Sequence, residues 1–238
     1  MTTHQHTLSF TRGVKDAIPL LLAVAPYGVI LGIQAASQGI PPWQLGLMTS
    51  MNFAGGSEFA AISLWHAPLP VLTIVMLTFL INSRHIIMGA AIAPYLKHLP
   101  LKKILPALFL MGDEGWAVCY ASAVRNAASL PDAKVLPMAY YLGVCFPFYP
   151  VWVLFSLAGY LLPSVQDHIQ SLGLAMAFPA IFIVLLKGMW RGKQTILPWC
   201  TSLLVSAGTF ILVPGHSYVL AGAFSGMLVA WLQARRVS

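Results

Sequence analysis

Residues 45–65 read Leu45-Gly46-Leu47-Met48-Thr49-Ser50-Met51-Asn52-Phe53-Ala54-Gly55-Gly56-Ser57-Glu58-Phe59-Ala60-Ala61-Ile62-Ser63-Leu64-Trp65. The stretch is long enough to cross a bilayer core, which takes about 20 mostly apolar residues. Its middle, however, carries two adjacent glycines and a glutamate. Glycine loosens a helix, and beside an acid it frees backbone groups for other partners. Interrupted helices at membrane depth are tolerated only where they line a cavity or pack inside protein. The stretch therefore predicts a helical membrane protein whose functional groups sit at a broken helix.

Seven further apolar segments accompany it: Val14–Ala36, Leu69–Tyr95, Ile104–Arg125, Val135–Leu162, Ser171–Lys187, Thr195–Val213 and Tyr218–Gln233. Short linkers with helix breakers join them, such as Gly39-Ile40-Pro41-Pro42 and Val213-Pro214-Gly215. Over the whole chain 58% of residues are hydrophobic and 8% charged, against about a quarter charged in soluble domains. The expected fold is all-α: a polytopic transmembrane helical bundle of six to eight membrane segments, with broken or re-entrant helices. It forms a single integral membrane domain over residues 1–238. Residues 1–11 form a polar cytoplasmic tail, and no cleavage-like site follows the first apolar run, so that run stays as a helix. Cys119, Cys145 and Cys200 lie within apolar runs without metal-ligand spacing and read as small hydrophobes.

The formal net charge is +7, but its placement does not fit a nucleic-acid partner. Arg12, Lys15, Lys97, Lys102, Lys103, Lys187, Arg191, Lys193, Arg235 and Arg236 cluster at the ends of apolar runs. That is the pattern of cytoplasmic loops, and it places both termini inside a bacterial inner (cell) membrane. Counting crossings then creates a conflict. Gly39 falls outside and Lys97 inside, yet two segments lie between them, and the same problem recurs from Lys103 to Asp167. Either Leu45–Trp65 and Ile104–Arg125 are re-entrant, or all eight segments are plain spans and the Lys97–Lys103 loop breaks the charge rule.

Ionisable groups inside spans cost about 2.5–3.5 kcal/mol each on insertion scales and mark function. They are Glu58, then Arg84 and His85 in Ile81-Asn82-Ser83-Arg84-His85, then Asp113 and Glu114 in Leu110-Met111-Gly112-Asp113-Glu114-Gly115-Trp116. Three acids against one arginine leave a formal −2, which is costly in low dielectric. An acid takes a proton, His85 takes one, or a cation binds. Arg84 is expected to hold Asp113 or Glu114 ionised. Glu58, whose sequence neighbours include no cation, is the expected proton carrier. Asn82 and His85 share a helical face while Arg84 points about 100° away from His85. The expected substrate and proton pathway comprises Gly55, Gly56, Ser57, Glu58, Asn82, Arg84, His85, Asp113 and Glu114, with Pro26 and Gly28 breaking the first span near its middle. A Ser57–His85 dyad would instead belong to an intramembrane hydrolase, and a third reading is an assembly subunit without transport of its own. No metalloprotease or P-loop motif occurs, so neither a catalytic metal nor another cofactor is expected.

Taken together and in order, these motifs resemble the AzlC-type family, the large subunit of branched-chain amino acid exporters. The resemblance runs from Gly13 to about Trp231. It rests on Gly13-x-x-Asp16-x-x-Pro19, Pro26-Tyr27-Gly28, Ala54-Gly55-Gly56-Ser57-Glu58-Phe59, Asn82-x-Arg84-His85, Asp113-Glu114 and Pro179-Ala180-x-Phe182. It implies a transporter rather than an enzyme, exporting branched-chain or related amino acids with the proton gradient. It also implies a small hydrophobic AzlD-like membrane subunit as partner. Two positions depart from the family pattern: Glu58 stands where Gln is usual, and Gly112 where Thr is usual.

Overall fold

The computed structural model describes residues 8–129, 135–162, 192, 196–213 and 217–237. Its described elements are all helices: α1 (Phe10–Ser37), α2 (Pro42–Met51), α3 (Gly55–Ser63), α4 (Val71–Asn82), α5 (Arg84–Leu96), α6 (Leu101–Phe109), α7 (Asp113–Ser129), α8 (Met138–Cys145), α9 (Phe148–Tyr160), α10 (Ile196–Leu212) and α11 (Ser217–Val237). Three helical stretches among the described residues are long and apolar enough to cross a membrane: Phe10–Ser37, Val71–Leu96 and Met138–Tyr160. The expected segment Ser171–Lys187, the cations Lys187, Arg191 and Lys193, and the Pro179-Ala180-x-Phe182 motif lie outside the described residues.

Local sequence sets the helix ends. Ser9 caps α1 through the Arg12 N–H at 3.3 Å. At the other end Gly39 adopts φ +68°, and the Ile40 N–H reaches the Ala35 carbonyl, closing the helix with a left-handed turn. Proline precedes or opens α2, α6 and α8, at Pro41 and Pro42, Pro100 and Pro137, where its missing N–H costs nothing.

The chain forms two compact units, one from Met1–Ile62 and Ile81–Asp167, the other from Ser63–Leu80 and His168–Ser238. In the second, α10 and α11 make an antiparallel pair. Gly222 sits against Ser206 and Ser202, Gly226 against Ser202 and Pro198, and Phe210 meets Tyr218 edge-on at 5.2 Å.

The first unit is built on α1 lying parallel to α8 and α9. A Cβ on Gly13 would come 2.5 Å from the Tyr140 carbonyl, and one on Gly32 would overlap the Ser156 carbonyl. Gly143 and Gly159 press in return against the backbone of Phe10 and Val29. Small residues on both helices let the backbones touch, the main source of helix association where lipid is as apolar as the side chains. This corrects the expected break at Pro26 and Gly28. α1 runs unbroken through Pro19 and Pro26, and Gly28 is a packing position facing Phe155 and Ser156. The proline removes one backbone hydrogen bond, while lipid offers the remaining groups no other partner, so the helix continues.

The two interrupted segments are broken where glycine and acid stand together, at 52–54 and 110–112. Their course follows from the contacts. α7 begins beside the start of α5, where Asp113 meets Arg84 at 2.9 Å. It continues alongside, with Trp116 Nε1 donating to the Met88 carbonyl at 3.1 Å and Tyr120 facing Tyr95 at 6.2 Å. After α7 the Leu136 N–H bonds the Tyr95 carbonyl at 3.0 Å. Since α6 starts at the turn closing α5, the α6–α7 segment leaves and returns to the same end of the unit. It is a helical hairpin, the course that the re-entrant resolution of the crossing conflict requires of this segment. It also puts Lys97–Lys103 at the same end as Arg12 and Lys15, because Asp16 reaches Tyr140 at the start of α8. α2 runs antiparallel along α9, from Gly46 facing Leu157 to Ser50 at Tyr149, and α3 packs on Trp152 through Gly55 and Phe59.

Two outcomes follow. Gly32→Ala places its methyl in the Ser156 backbone, where overpacking costs about 1–3 kcal/mol, so detergent-solubilised protein should lose several degrees of melting temperature. In a variant lacking the three natural cysteines, single cysteines at Pro100 and at Ser129 should both react with an impermeant maleimide from the same membrane face. Labelling from opposite faces would mean that α6–α7 crosses.

Candidate functional site

The interruption after α2 brings Phe53 to φ +45°, a left-handed conformation rare for a bulky residue. This strained turn leaves the Ala54 N–H without its helical acceptor. Glu58, one turn on, supplies one: Oε1 accepts from the Ala54 N–H at 3.1 Å, and Oε2 accepts from Trp152 Nε1 of α9 at 2.7 Å. The Glu58 side chain is fully buried. At 2.7 Å the Trp152 bond has the length of a charge-assisted one, while the Ala54 bond is of ordinary length. Ser57 Oγ donates to the Ala54 carbonyl at 2.9 Å and accepts from Asn52 Nδ2 at 2.9 Å. Asn52 Oδ1 in turn accepts from Asn82 Nδ2 at 3.0 Å, which ties the hairpin to the α4–α5 junction.

At that junction Arg84 Nη2 pairs with Asp113 Oδ2 at 2.9 Å, at the tip of the other hairpin. The same Nη2 lies 3.7 Å from where a Cβ on Gly56 would stand. That is ordinary contact distance, so the guanidinium lies against the first turn of α3. Glu114 folds back over Gly112, within 3.6 Å of a Cβ built there. That is ordinary contact, so a threonine at 112 fits the same backbone. Arg84 Nε and Asn82 Oδ1 are buried and make no hydrogen bond among the described residues. One is a donor and the other an acceptor, and buried polar groups are rarely left this way.

The hairpins also touch through aromatic side chains. Phe53 and Phe109 lie 6.4 Å apart, and both face Tyr149 of α9, at 5.2 and 6.1 Å. The Tyr149 hydroxyl donates to the Ser50 carbonyl at 3.0 Å, the last turn of α2.

Nine of the eleven expected pathway residues therefore lie around these two tips: Gly55, Gly56, Ser57, Glu58, Asn82, Arg84, His85, Asp113 and Glu114. Pro26 is exposed on α1, and Gly28 belongs to the α1 packing face against Trp152, Phe155 and Ser156 of α9. Arg84 and His85 take different partners, as their helical positions require: His85 Nδ1 meets the Asn82 carbonyl at 3.1 Å, and its ring lines a groove of about 580 Å³ between α5 and α6. Ser57 and His85 each bond elsewhere, so no Ser–His dyad is assembled. Trp152, Tyr149 and Asn52 were not singled out from sequence. Tyr149 and Trp152 sit three apart on one helical face, but the segment around them also holds Phe146, Phe148 and Phe155, and nothing distinguishes a hydrogen-bonding aromatic there.

A second polar chain runs at the basic end of the unit. Arg12 Nε pairs with Asp16 at 3.0 Å, Tyr140 donates to Asp16 at 2.8 Å, and Ser122 Oγ joins Tyr140 and Arg125 at 2.8 and 3.2 Å. Tyr140 is fully buried, so its hydroxyl requires these partners.

The arrangement of interrupted helices around buried charge can be set beside known proteins. A family model described as AzlC protein matches residues 19–165. The chain belongs to the AzlC family. Among its relatives, inner membrane protein YgaZ of Escherichia coli K12 is 27% identical over 95% of this chain and 91% of the relative. The branched-chain amino acid transport protein AzlC of Bacillus subtilis 168 is 25% identical over 89% and 80%. An uncharacterized membrane protein of Archaeoglobus fulgidus is 28% identical over 79% and 81%. No solved structure matches the chain. The family match contains both hairpins, Arg84, and the Tyr149–Trp152 face of α9.

The Arg84–Asp113 pair is 27% and 30% exposed, so its loss should fall between the ~1 kcal/mol of a surface pair and the ~3–5 kcal/mol of a buried one. Asp113→Asn should destabilise the protein and Arg84→Gln should do the same. The double variant should be more stable than the sum of the two losses predicts. Simple additivity in a thermal-unfolding cycle would show that the two residues do not support each other.

Proposed function

We propose that this protein is the large subunit of an exporter of branched-chain or related amino acids, driven by the proton gradient. It works with a small hydrophobic AzlD-like membrane subunit in the bacterial inner membrane, with the basic end and both termini in the cytoplasm. Family membership and the printed name of the Bacillus relative support a transport role. The observation that carries an amino-acid-like solute is the pair of open polar atoms beside an ion pair: Arg84 Nε, a donor, and Asn82 Oδ1, an acceptor. A zwitterion offers a carboxylate to the first and an ammonium group to the second or to Asp113. Two re-entrant tips meeting at this depth supply irregular backbone only where protein covers it, as solute sites in membranes require.

Proton coupling is assigned to Glu58. It is fully buried, and its carboxylate is held by the neutral donors Ala54 N–H and Trp152 Nε1–H, while Arg84 is engaged by Asp113. A proton can therefore be gained or lost at Glu58 without dismantling the ion pair.

The reading is tested in proteoliposomes holding this chain with and without the small subunit, loaded with a panel of amino acids, with and without a pH gradient. Efflux of aliphatic amino acids that saturates and rises with the gradient is expected. If no amino acid moves under any of these conditions, the reading is wrong. Glu58→Gln removes the titrating group yet keeps the side-chain shape, so transport should lose its dependence on pH while the protein still folds. An unchanged pH profile would pass the proton role to Asp113, Glu114 or His85.

A further inference from the structure

We infer that a proton on Glu58 exchanges one hydrogen-bonding pattern for another at the tip of the α2–α3 hairpin, with Trp152 and Tyr149 of α9 as positioning residues. The inference rests on the proposed proton coupling and adds the means by which the helix senses the proton.

Two groups bonded to the Glu58 carboxylate, a backbone N–H and an indole N–H, are donors without acceptor capacity, while the Asn52 amide beside it carries both kinds. An ionised carboxylate satisfies both. A carboxylic acid turns one of its oxygens into a donor, so one N–H then faces an O–H and loses its acceptor. Trp152 belongs to another helix and sits at 2.7 Å. The Ala54 N–H has an alternative within its own segment: the Ser50 carbonyl, four residues back, is its ordinary helical acceptor. In this structure that carbonyl instead accepts the Tyr149 hydroxyl. With the proton on Oε1, the Ala54 N–H returns to Ser50, and α2 extends through the break. Phe53 leaves its φ of +45° for right-handed helix, and the Ser50 carbonyl, now shared with an amide through its second lone pair, holds the Tyr149 hydroxyl less strongly.

Tyr149 is the aromatic that both tips touch, through Phe53 and Phe109. A weaker Tyr149–Ser50 bond therefore loosens the contact between the two hairpins. The strained Phe53 and the ordinary helical pairing favour one pattern, and the carboxylate's two charge-assisted bonds favour the other. The titratable and charged groups facing the tip from neighbouring elements are Arg84 of α5, Asp113 and Glu114 of α7 and Tyr149 of α9. Arg84 and Asp113 neutralise each other and Glu114 lies over Gly112 at the second tip, while Glu58 is the acid bonded directly to the Ala54 N–H at the break.

The test follows the indole N–H of Trp152 and the amide of Ala54 in the full-length protein in lipid nanodiscs. Protein labelled with ¹⁵N-tryptophan is titrated across the pH range in which transport changes, and Trp152 is assigned by its disappearance in Trp152→Phe. The Trp152 resonance should shift as its bond passes from a carboxylate to a neutral acid. Hydrogen exchange at 53–55 should change over the same range. In Glu58→Gln, which offers one acceptor oxygen and one donor group, the resonance should stay at its low-pH position at every pH. A Trp152 resonance and an Ala54 exchange rate that do not respond to pH, while transport does and Glu58→Gln abolishes that dependence, would overturn the exchange and leave proton-coupled export standing. Transport without pH dependence in the wild type would instead remove the coupling, and the pH response of Trp152 would then decide the exchange alone.

Discussion

A helix interrupted inside a membrane exposes N–H and C=O groups that lipid cannot satisfy, and the rest of this protein is organised around that requirement. At the first interruption the Ala54 N–H is met by Glu58 and the Ser50 carbonyl by Tyr149. At the second, Asp113 opens α7 and carries the charge opposite Arg84. An acid at the first turn of a helix also complements the helix dipole, and both α3 and α7 have one there. At the first break the residue that repairs the backbone, Glu58, is also the buried acid.

α9 links the parts of this arrangement. It supplies Trp152 to Glu58 and Tyr149 to Ser50, and its opposite contacts with α1 run through Gly28, Gly32 and Gly159. Backbone-to-backbone packing against a 28-residue helix makes α9 a firm support, and a site held to a fraction of an ångström needs one. Movement is then expected in the hairpin tips, which are short and held by few bonds, and not in α1 or α9.

The basic end of the first unit is a separate polar assembly. Tyr140 and Tyr141 are fully buried there, with Val144 and Cys145 between them and the hairpin tips. This apolar layer divides the Asp16–Tyr140–Ser122 chain from the Glu58 site. The cations Arg12, Lys15 and Lys97–Lys103 gather at that end because α6–α7 turns back. The gathering of cations at one end and the hairpin course of α6–α7 are therefore the same fact seen in charge and in geometry.

Much of this was legible in the chain itself. Segment lengths, charge at segment ends and the Gly-acid pairs determine an all-helical membrane protein with two interrupted segments, because bilayer thickness and the cost of buried charge act on every residue locally. The same reasoning singled out Glu58, Arg84, His85, Asp113 and Glu114. It placed a break at Pro26 that does not exist, since a proline's effect depends on what packs around it, and here Gly28 and Gly32 hold α1 against α9. It left the crossing conflict open, because charge counting cannot tell a hairpin from two spans. Only tertiary structure decided that α7 runs beside α5, that Arg84 chooses Asp113, and that Trp152 and Tyr149, about 90 residues further along the chain, complete the first broken helix. Those choices depend on which backbone groups come within about 3 Å of each other, and proximity between distant segments is a property of packing that no single segment encodes.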